Sequence, residues 1–218
     1  MYVKICGLRD PAHAALAADL GANAVGVVMS LRSSRHATAD EARAVISAAR
    51  AVRPDVDAVL VVNTIGAEEA AALAHELGFD VLQLHGNYAA EDVAAARASL
   101  PRVWRATSLA HFPELRAGEL GEERLLLDGA VPGSGATWDL TPLGADAELR
   151  ARIGNEWLLA GGLDPENVAQ AITLARPGGV DVSSGVERSP GQKDPDLISK
   201  FIGAARAASA PVEEGGRE

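Results

Sequence analysis

Several short apolar runs in this chain carry polar residues at a spacing of two. Lys4 and Cys6 lie in one run, Gln83 and His85 in a second, Arg105 and Thr107 in a third, and Asp181 and Ser183 in a fourth; Asp128 closes a fifth. In an extended strand a spacing of two puts both residues on one face. The types present define the chemistry available. A thiol such as Cys6 acts as base or nucleophile once it is a thiolate. A carboxyl such as Asp128 donates a proton if burial keeps it protonated. Each residue alone has a plainer reading. Cys6 can be a small core hydrophobe, Asp128 a turn or cap residue, His85 a satisfied structural histidine, and Lys4 with Asp181 a buried ion pair between neighbouring strands. Together they are harder to dismiss, because each buried polar group without a partner costs free energy. A ring of them at one end is what a polar ligand cavity requires.

Two Gly/Ser clusters suggest what that ligand carries. Ala160-Gly161-Gly162-Leu163-Asp164-Pro165 follows one late apolar run, and Ser183-Ser184-Gly185-Val186-Glu187 follows the next. Glycines let backbone N–H groups approach an anion, so the two clusters together are expected to hold phosphate. Gly185–Arg188 could supply a short helix with its N-terminus on that anion. An ordinary pair of Gly-rich turns is the competing reading. There is no Walker A pattern, no G-x-G-x-x-G opening a helix and no Cys/His set at metal-ligand spacing, so no metal and no organic cofactor is expected.

The elements that must position these residues alternate. Eight runs, Tyr2–Cys6, Ala24–Met29, Ala58–Asn63, Val81–His85, Val103–Thr107, Arg124–Asp128, Trp157–Ala160 and Val180–Ser183, read as strands buried on both faces, as in a parallel sheet covered by helices. Helices are expected over Pro11–Leu20 after the cap Asp10, over Ala39–Ala51 behind a Thr38/Glu41 capping box, and over Ala67–Leu77 ending at Gly78. Others are expected over Ala90–Ser99, Pro165–Leu174 and Pro195–Ala208. Ser108–Gly121 is broken by Pro113 and Gly118, so the fifth helix should be irregular or missing. The pattern predicts a single α/β domain, a (β/α)8 TIM barrel over residues 1–208, with a flexible tail over 209–218. An open doubly wound sheet is the architectural alternative.

The 218 residues suffice for one such domain without staples. The formal net charge of −10 disfavours nucleic acid and anionic membranes as partners, and leaves local N–H groups or cations to bind a phosphorylated small molecule. One cysteine allows no disulfide within the chain, no apolar run spans a bilayer, and the start does not read as a signal peptide. The expected location is the cytoplasm. No apolar stripe asks for a partner, so a monomer is expected.

These residues also carry a resemblance. Lys4-Ile5-Cys6-Gly7-Leu8, Gly21-Ala22-Asn23-Ala24-Val25-Gly26, Val81-Leu82-Gln83-Leu84-His85-Gly86, Leu125-Leu126-Leu127-Asp128 and Leu159-Ala160-Gly161-Gly162-Leu163 are similar to motifs of phosphoribosylanthranilate isomerases. The most specific stretch is Val180-Asp181-Val182-Ser183-Ser184-Gly185-Val186-Glu187 with Pro190-Gly191-Gln192-Lys193-Asp194. The likeness runs from Met1 to about Ala205. It departs in the 133–140 loop, where Trp138 and Leu140 replace the usual Phe and Trp and Ala136 replaces a common basic residue. The loop Met29–His36 keeps only Ser34-Arg35 clearly. The resemblance implies a cofactor-independent aldose–ketose isomerase of tryptophan biosynthesis, in which an aminoaldose becomes an aminoketose by an Amadori rearrangement. It further implies Asp128 as general acid, Cys6 as general base, Arg35 near the substrate's anthranilate carboxylate, and His85 and Asp181 as orienting residues at the substrate. Lys4, on the face of Cys6, is expected to lower the thiol pKa.

Other readings stay in view. A related barrel enzyme such as indole-3-glycerol-phosphate synthase is one. A histidine-pathway aminoaldose isomerase is another, but the resemblance there implies two aspartates, not Cys6 and Asp128. An isomerase serving both pathways, or a non-catalytic phosphosugar-binding barrel, completes the set.

Overall fold

A computed structural model describes residues 1–129 and 137–209. Eight parallel strands form a closed barrel in chain order: β1 (Tyr2–Ile5), β2 (Ala24–Val28), β3 (Asp57–Val62), β4 (Val81–His85), β5 (Val103–Thr107), β6 (Arg124–Leu127), β7 (Leu158–Leu159) and β8 (Gly179–Val182). Pairing of β1 with β8, with Lys4 opposite Asp181, closes the sheet and rules out the open alternative.

Local chemistry accounts for most of the outer helices. In α1 (Pro11–Asp19) the Asp10 carboxylate accepts from the Ala12 amide at 2.8 Å and Pro11 starts the helix with its φ preset. The Thr38/Glu41 capping box opens α2 (Ala39–Val52). Gly78, at φ +82°, ends α3 (Ala67–Leu77) in a conformation that disfavours side chains. The helix α4 (Ala90–Ser99) follows β4. Between β5 and β6 the chain forms turns and no helix, as its Pro and Gly content implies. Two short helices, α5 (Thr141–Ala145) and α6 (Ala147–Ile153), precede β7 and were not expected from sequence. The helix α7 (Val168–Ala175) starts three residues later than expected, because Asp164 and Asn167 close a capping turn of their own. The last helix is α8 (Pro195–Ser209). Beyond Ser209 the expected tail lies outside the described residues.

Two apolar clusters reflect the two faces of the sheet. The larger lies between strands and helices; the smaller fills the lumen with Ala24, Val59, Val61, Val81, Trp104, Ala106, Leu126, Leu158 and Ala160. At the N-terminal mouth the Arg124 guanidinium lies over Tyr2 (4.3 Å) and Trp104 (5.0 Å), and Arg102 pairs with Asp57 and Glu123. That end is plugged. A small antiparallel hairpin, β9 (Glu187–Ser189) and β10 (Gln192–Lys193), stands apart from the barrel after β8.

Candidate active site

The C-terminal mouth opens on a cavity of about 390 Å3, lined by Cys6, Ser30, Arg35, Asn63, Gln83, His85, Asp128, Asp181 and Ser183 among others. That is enough room for a small phosphorylated substrate. Cys6 follows β1, His85 ends β4, Asp128 follows β6 and Ser183 follows β8, so four strand ends converge there. Barrel active sites form at this face.

Packing around Cys6 depends on its neighbour across the sheet. A Cβ added to Gly26 of β2 would sit 2.9 Å from the Cys6 Sγ and 3.2 Å from the Lys4 Cε. Lys4 is fully buried and donates to Asp181 Oδ1 at 2.9 Å. Burial opposes its charge, but Asp181 and Cys6 outweigh that penalty, and the ammonium titrates above its ordinary value. Burial likewise pushes the Cys6 thiol up; Lys4 pulls it down, but by less. The expected electrostatic help from Lys4 is therefore present in sign and insufficient in size. Lys4 is already committed to Asp181, and Asp181 itself opposes a thiolate.

Asp128 is also buried, which pushes its carboxyl up to about 6; the Gly129 amide, donating to Oδ1 at 2.7 Å, works in the opposite direction. Its Oδ2 lies 3.7 Å from His85 Nε2. The spacing would suit an ion pair. Burial, however, holds the histidine below its ordinary pKa, so a neutral imidazole faces a carboxyl near its own titration point. His85 Nε2 has no hydrogen-bond partner among the described residues, nor does the Gln83 Oε1. Both side chains line the cavity.

The glycine turns have the conformations their residue type permits. Gly161 and Gly162 have φ of +87° and +66°, and the Asn167 side chain donates to the Gly162 carbonyl at 2.8 Å. Gly185 packs directly on the Leu163 carbonyl, where no Cβ fits, so the loops after β7 and β8 lie against each other. The short helix after β8 is a 3-10 turn over Ser184–Val186; Glu187 and Arg188, expected to extend it, instead begin β9. The Ser183 hydroxyl donates to the Cys6 carbonyl at 3.2 Å, joining the turn after β8 to the end of β1.

The family profile for N-(5'phosphoribosyl)anthranilate (PRA) isomerase matches residues 3–204. The chain belongs to that family. Its sequence is 43% identical to an N-(5'-phosphoribosyl)anthranilate isomerase from Paracoccus denitrificans, over 94% of this chain and 97% of that protein. Among solved structures, TrpF from Jonesia denitrificans superposes with a TM-score of 0.84 at 49% identity, over 97% of this chain and 99% of that one. A phosphoribosyl anthranilate isomerase in complex with reduced 1-(o-carboxyphenylamino)-1-deoxyribulose 5-phosphate gives 0.81 at 33% identity, over 95% and 99%. Membership of this isomerase family favours the isomerase reading over the non-catalytic, dual-pathway and related-barrel ones. Among the described residues no helix is long and apolar enough to cross a membrane.

Within this family member the structure brings together most of the positions singled out by sequence. Cys6, Arg35, His85, Asp128, Asp181 and Ser183 line one cavity, and Ser184 and Gly185 follow in the adjoining turn. Gly162 lies in the β7 turn that packs beside them. Arg105 and Thr107 are the exception. They share a face, but it is the outer one: Trp104 and Ala106 fill the lumen, and Arg105 pairs with Glu119 at 2.6 Å and lies over Phe112. Both faces of a barrel strand are buried, so parity alone did not say which pointed inward. Of the 133–140 loop, residues 133–136 lie outside the described residues. Trp138 donates from its indole to the Ala160 carbonyl at 2.9 Å, beside the β7 turn. Sequence reasoning gave no role to Ser30 and Asn63, bonded at 2.6 Å in the cavity wall, nor to Glu187 and Lys193. The last two fell within a quoted motif, which was the only signal available.

Proposed function

We propose that this chain converts N-(5'-phosphoribosyl)anthranilate to 1-(2-carboxyphenylamino)-1-deoxyribulose 5-phosphate, a step of tryptophan biosynthesis, with Asp128 as general acid and Cys6 as general base. The observation that carries the assignment is their placement. A thiol and a carboxyl with a pKa of about 6 line one cavity at the catalytic mouth of the barrel. Asp128 donates its proton to the furanose ring oxygen as the C1–O bond breaks, leaving a Schiff base. The Cys6 thiolate takes the C2 proton, and the electron pair moves to form an enolamine. Protonation at C1 and loss of the enol proton give the ketone, so the product is an isomer and no external oxidant or reductant is consumed.

Arg35 is the cation for the anthranilate carboxylate, and the turns at Gly162, Ser183, Ser184 and Gly185 hold the phosphate through backbone amides. Asp181 holds Lys4, whose charge acts on both the Cys6 thiol and the Asp128 carboxyl. His85 fills the gap beside Asp128 and offers its unpartnered nitrogen to a substrate hydroxyl. The reaction needs Cys6 as a free thiol, which fits a reducing compartment such as the cytoplasm. The large exposed hydrophobics among the described residues, Met1, Leu31, Val52, Phe112 and Leu174, are scattered along the chain, which fits a monomer.

The test is direct. The aminoaldose substrate is fluorescent and its signal decays on turnover. Cys6→Ser and Asp128→Asn should each slow that decay by about two to four orders of magnitude, with circular dichroism unchanged. Near-normal turnover in both variants would refute the mechanism.

A further inference from the structure

The hairpin β9–β10 adds nothing to barrel closure, yet it carries two of the most buried charges at the site. The side chains of Glu187 and Lys193 are 3% and 2% exposed. Glu187 Oε1 accepts from Arg35 Nε at 2.7 Å and from Lys193 Nζ at 2.7 Å, and its Oε2 accepts from Arg35 Nη2 at 2.9 Å and from the Gly191 amide at 3.1 Å. All four contacts hold the carboxylate in one orientation, and Arg35 meets it as a planar two-point fork. Lys193 spends its other donors on the Ser183 carbonyl (2.8 Å) and hydroxyl (3.3 Å). The hairpin turn also rests on the loop that carries Arg35, since Gly191, at φ +79°, has no room for a Cβ against the Ser34 carbonyl. Gly7 leaves the space on the other side, where a Cβ would come within 2.8 Å of the Arg35 Cδ.

Arg35 thus uses one edge of its guanidinium, Nε and Nη2, on the protein. Among the described residues no hydrogen bond uses Nη1. The Nη1–Nη2 edge has the geometry for a second carboxylate, and Arg35 lines the cavity. Without the Glu187 charge, two buried cations, Arg35 and Lys193, would face each other across the same small volume.

We propose that Glu187 is a positioning residue for specificity: it aims the Arg35 fork at the substrate's aromatic carboxylate, with Lys193 and the β9–β10 turn as its buttress. The proposal rests on the reading above that Arg35 takes that carboxylate. It predicts a defect confined to carboxylate recognition. Glu187→Gln should raise KM for the anthranilate substrate by about tenfold to a hundredfold while kcat changes by no more than about threefold. On the aniline counterpart, which lacks only the carboxylate, the same substitution should change kcat/KM by less than about threefold. Glu187→Asp keeps the charge and should recover part of the loss. In Arg35→Met, adding Glu187→Gln should cost nothing more, because the two act as a unit.

The experiment is steady-state kinetics of wild type and these variants on both substrates, with thermal melts to verify folding. If Glu187→Gln does not fold, the Glu187→Asp comparison on the two substrates carries the test. Equal losses on both substrates, or additive losses with Arg35→Met, would overturn the proposal and leave Glu187 a purely structural residue. A wild-type enzyme that handles the aniline counterpart as well as the anthranilate, with Arg35→Met silent on both, would instead overturn the role given to Arg35.

Discussion

A carboxyl titrating at about 6 paired with a thiol titrating above its ordinary range reverses the usual order for an acid and a base near neutral pH. In the proposed mechanism the productive form has Asp128 protonated and Cys6 ionised. Because the thiol titrates above the carboxyl, only a small minority of molecules is in that form between the two pKa values, and the fraction is constant there. Turnover should therefore rise to a plateau near pH 6 and fall only on the alkaline side of the thiol pKa; a decline starting near pH 6 would contradict this pairing. The thiolate absorbance of Cys6, titrated in Lys4→Met, should move to higher pH because a cation that opposes the burial effect is lost. An unchanged titration would remove Lys4 from the account. Asp128 also carries a stability signature. Its folded pKa is raised, so the native state binds the proton more tightly than the unfolded state does. That contribution is complete below the ordinary carboxylate pKa and is lost as pH rises through about 6. At pH 8 the buried charge opposes folding by about 1–3 kcal/mol. Asp128→Asn should therefore melt higher than wild type at pH 8 and show little difference below pH 4, while turning over slowly.

Strand β2 shows how an element without catalytic side chains can serve the site. Gly26 faces the lumen opposite β1, and its missing side chain is the space that Cys6 and Lys4 occupy. Gly26→Ala keeps an ordinary strand backbone but forces the thiol or the lysine to shift. The expected result is a fall in kcat of about tenfold or more with a stability loss of about 1–3 kcal/mol, read by kinetics and urea melts. Unchanged kcat would mean that Cys6 has room to adjust without leaving its position. The segment between β5 and β6 makes a related point. It folds without a helix because the Glu122 carboxylate takes the Gly118 and Leu120 amides and Arg105 reaches out to Glu119, substituting side-chain bonds for a helical ladder.

At the scale of the whole molecule, closing the barrel creates the site. The β1–β8 seam sets Lys4 beside Asp181, residues 177 positions apart, and brings Cys6 to the turn that holds Ser183. The other mouth is filled by Tyr2, Trp104 and Arg124. The seam pair can be tested by a double-mutant cycle in urea. Lys4→Met leaves an uncompensated buried carboxylate and should cost about 3–5 kcal/mol, whereas Lys4→Met with Asp181→Leu should cost clearly less. Equal costs would mean that the two charges do not depend on each other across the seam.

Much of this was legible in the sequence. Strand runs, helix caps at Asp10 and Thr38 and the break after β5 follow from local rules: periodicity, capping chemistry and residue type read within a few positions; those rules marked Cys6 and Asp128 only as polar residues in apolar strands, and their catalytic roles came from the family resemblance. Four matters were decided only in three dimensions. Which face of β5 pointed inward could not be read, because helices bury the outer face as fully as packing buries the lumen. The helices α5 and α6 are too short to show a period. The Arg35–Glu187 pair joins residues 152 apart, a distance no local pattern spans. The direction of the Cys6 shift depended on total burial, which outweighed the one nearby cation that the sequence made visible, because desolvation is summed over every neighbour the fold assembles.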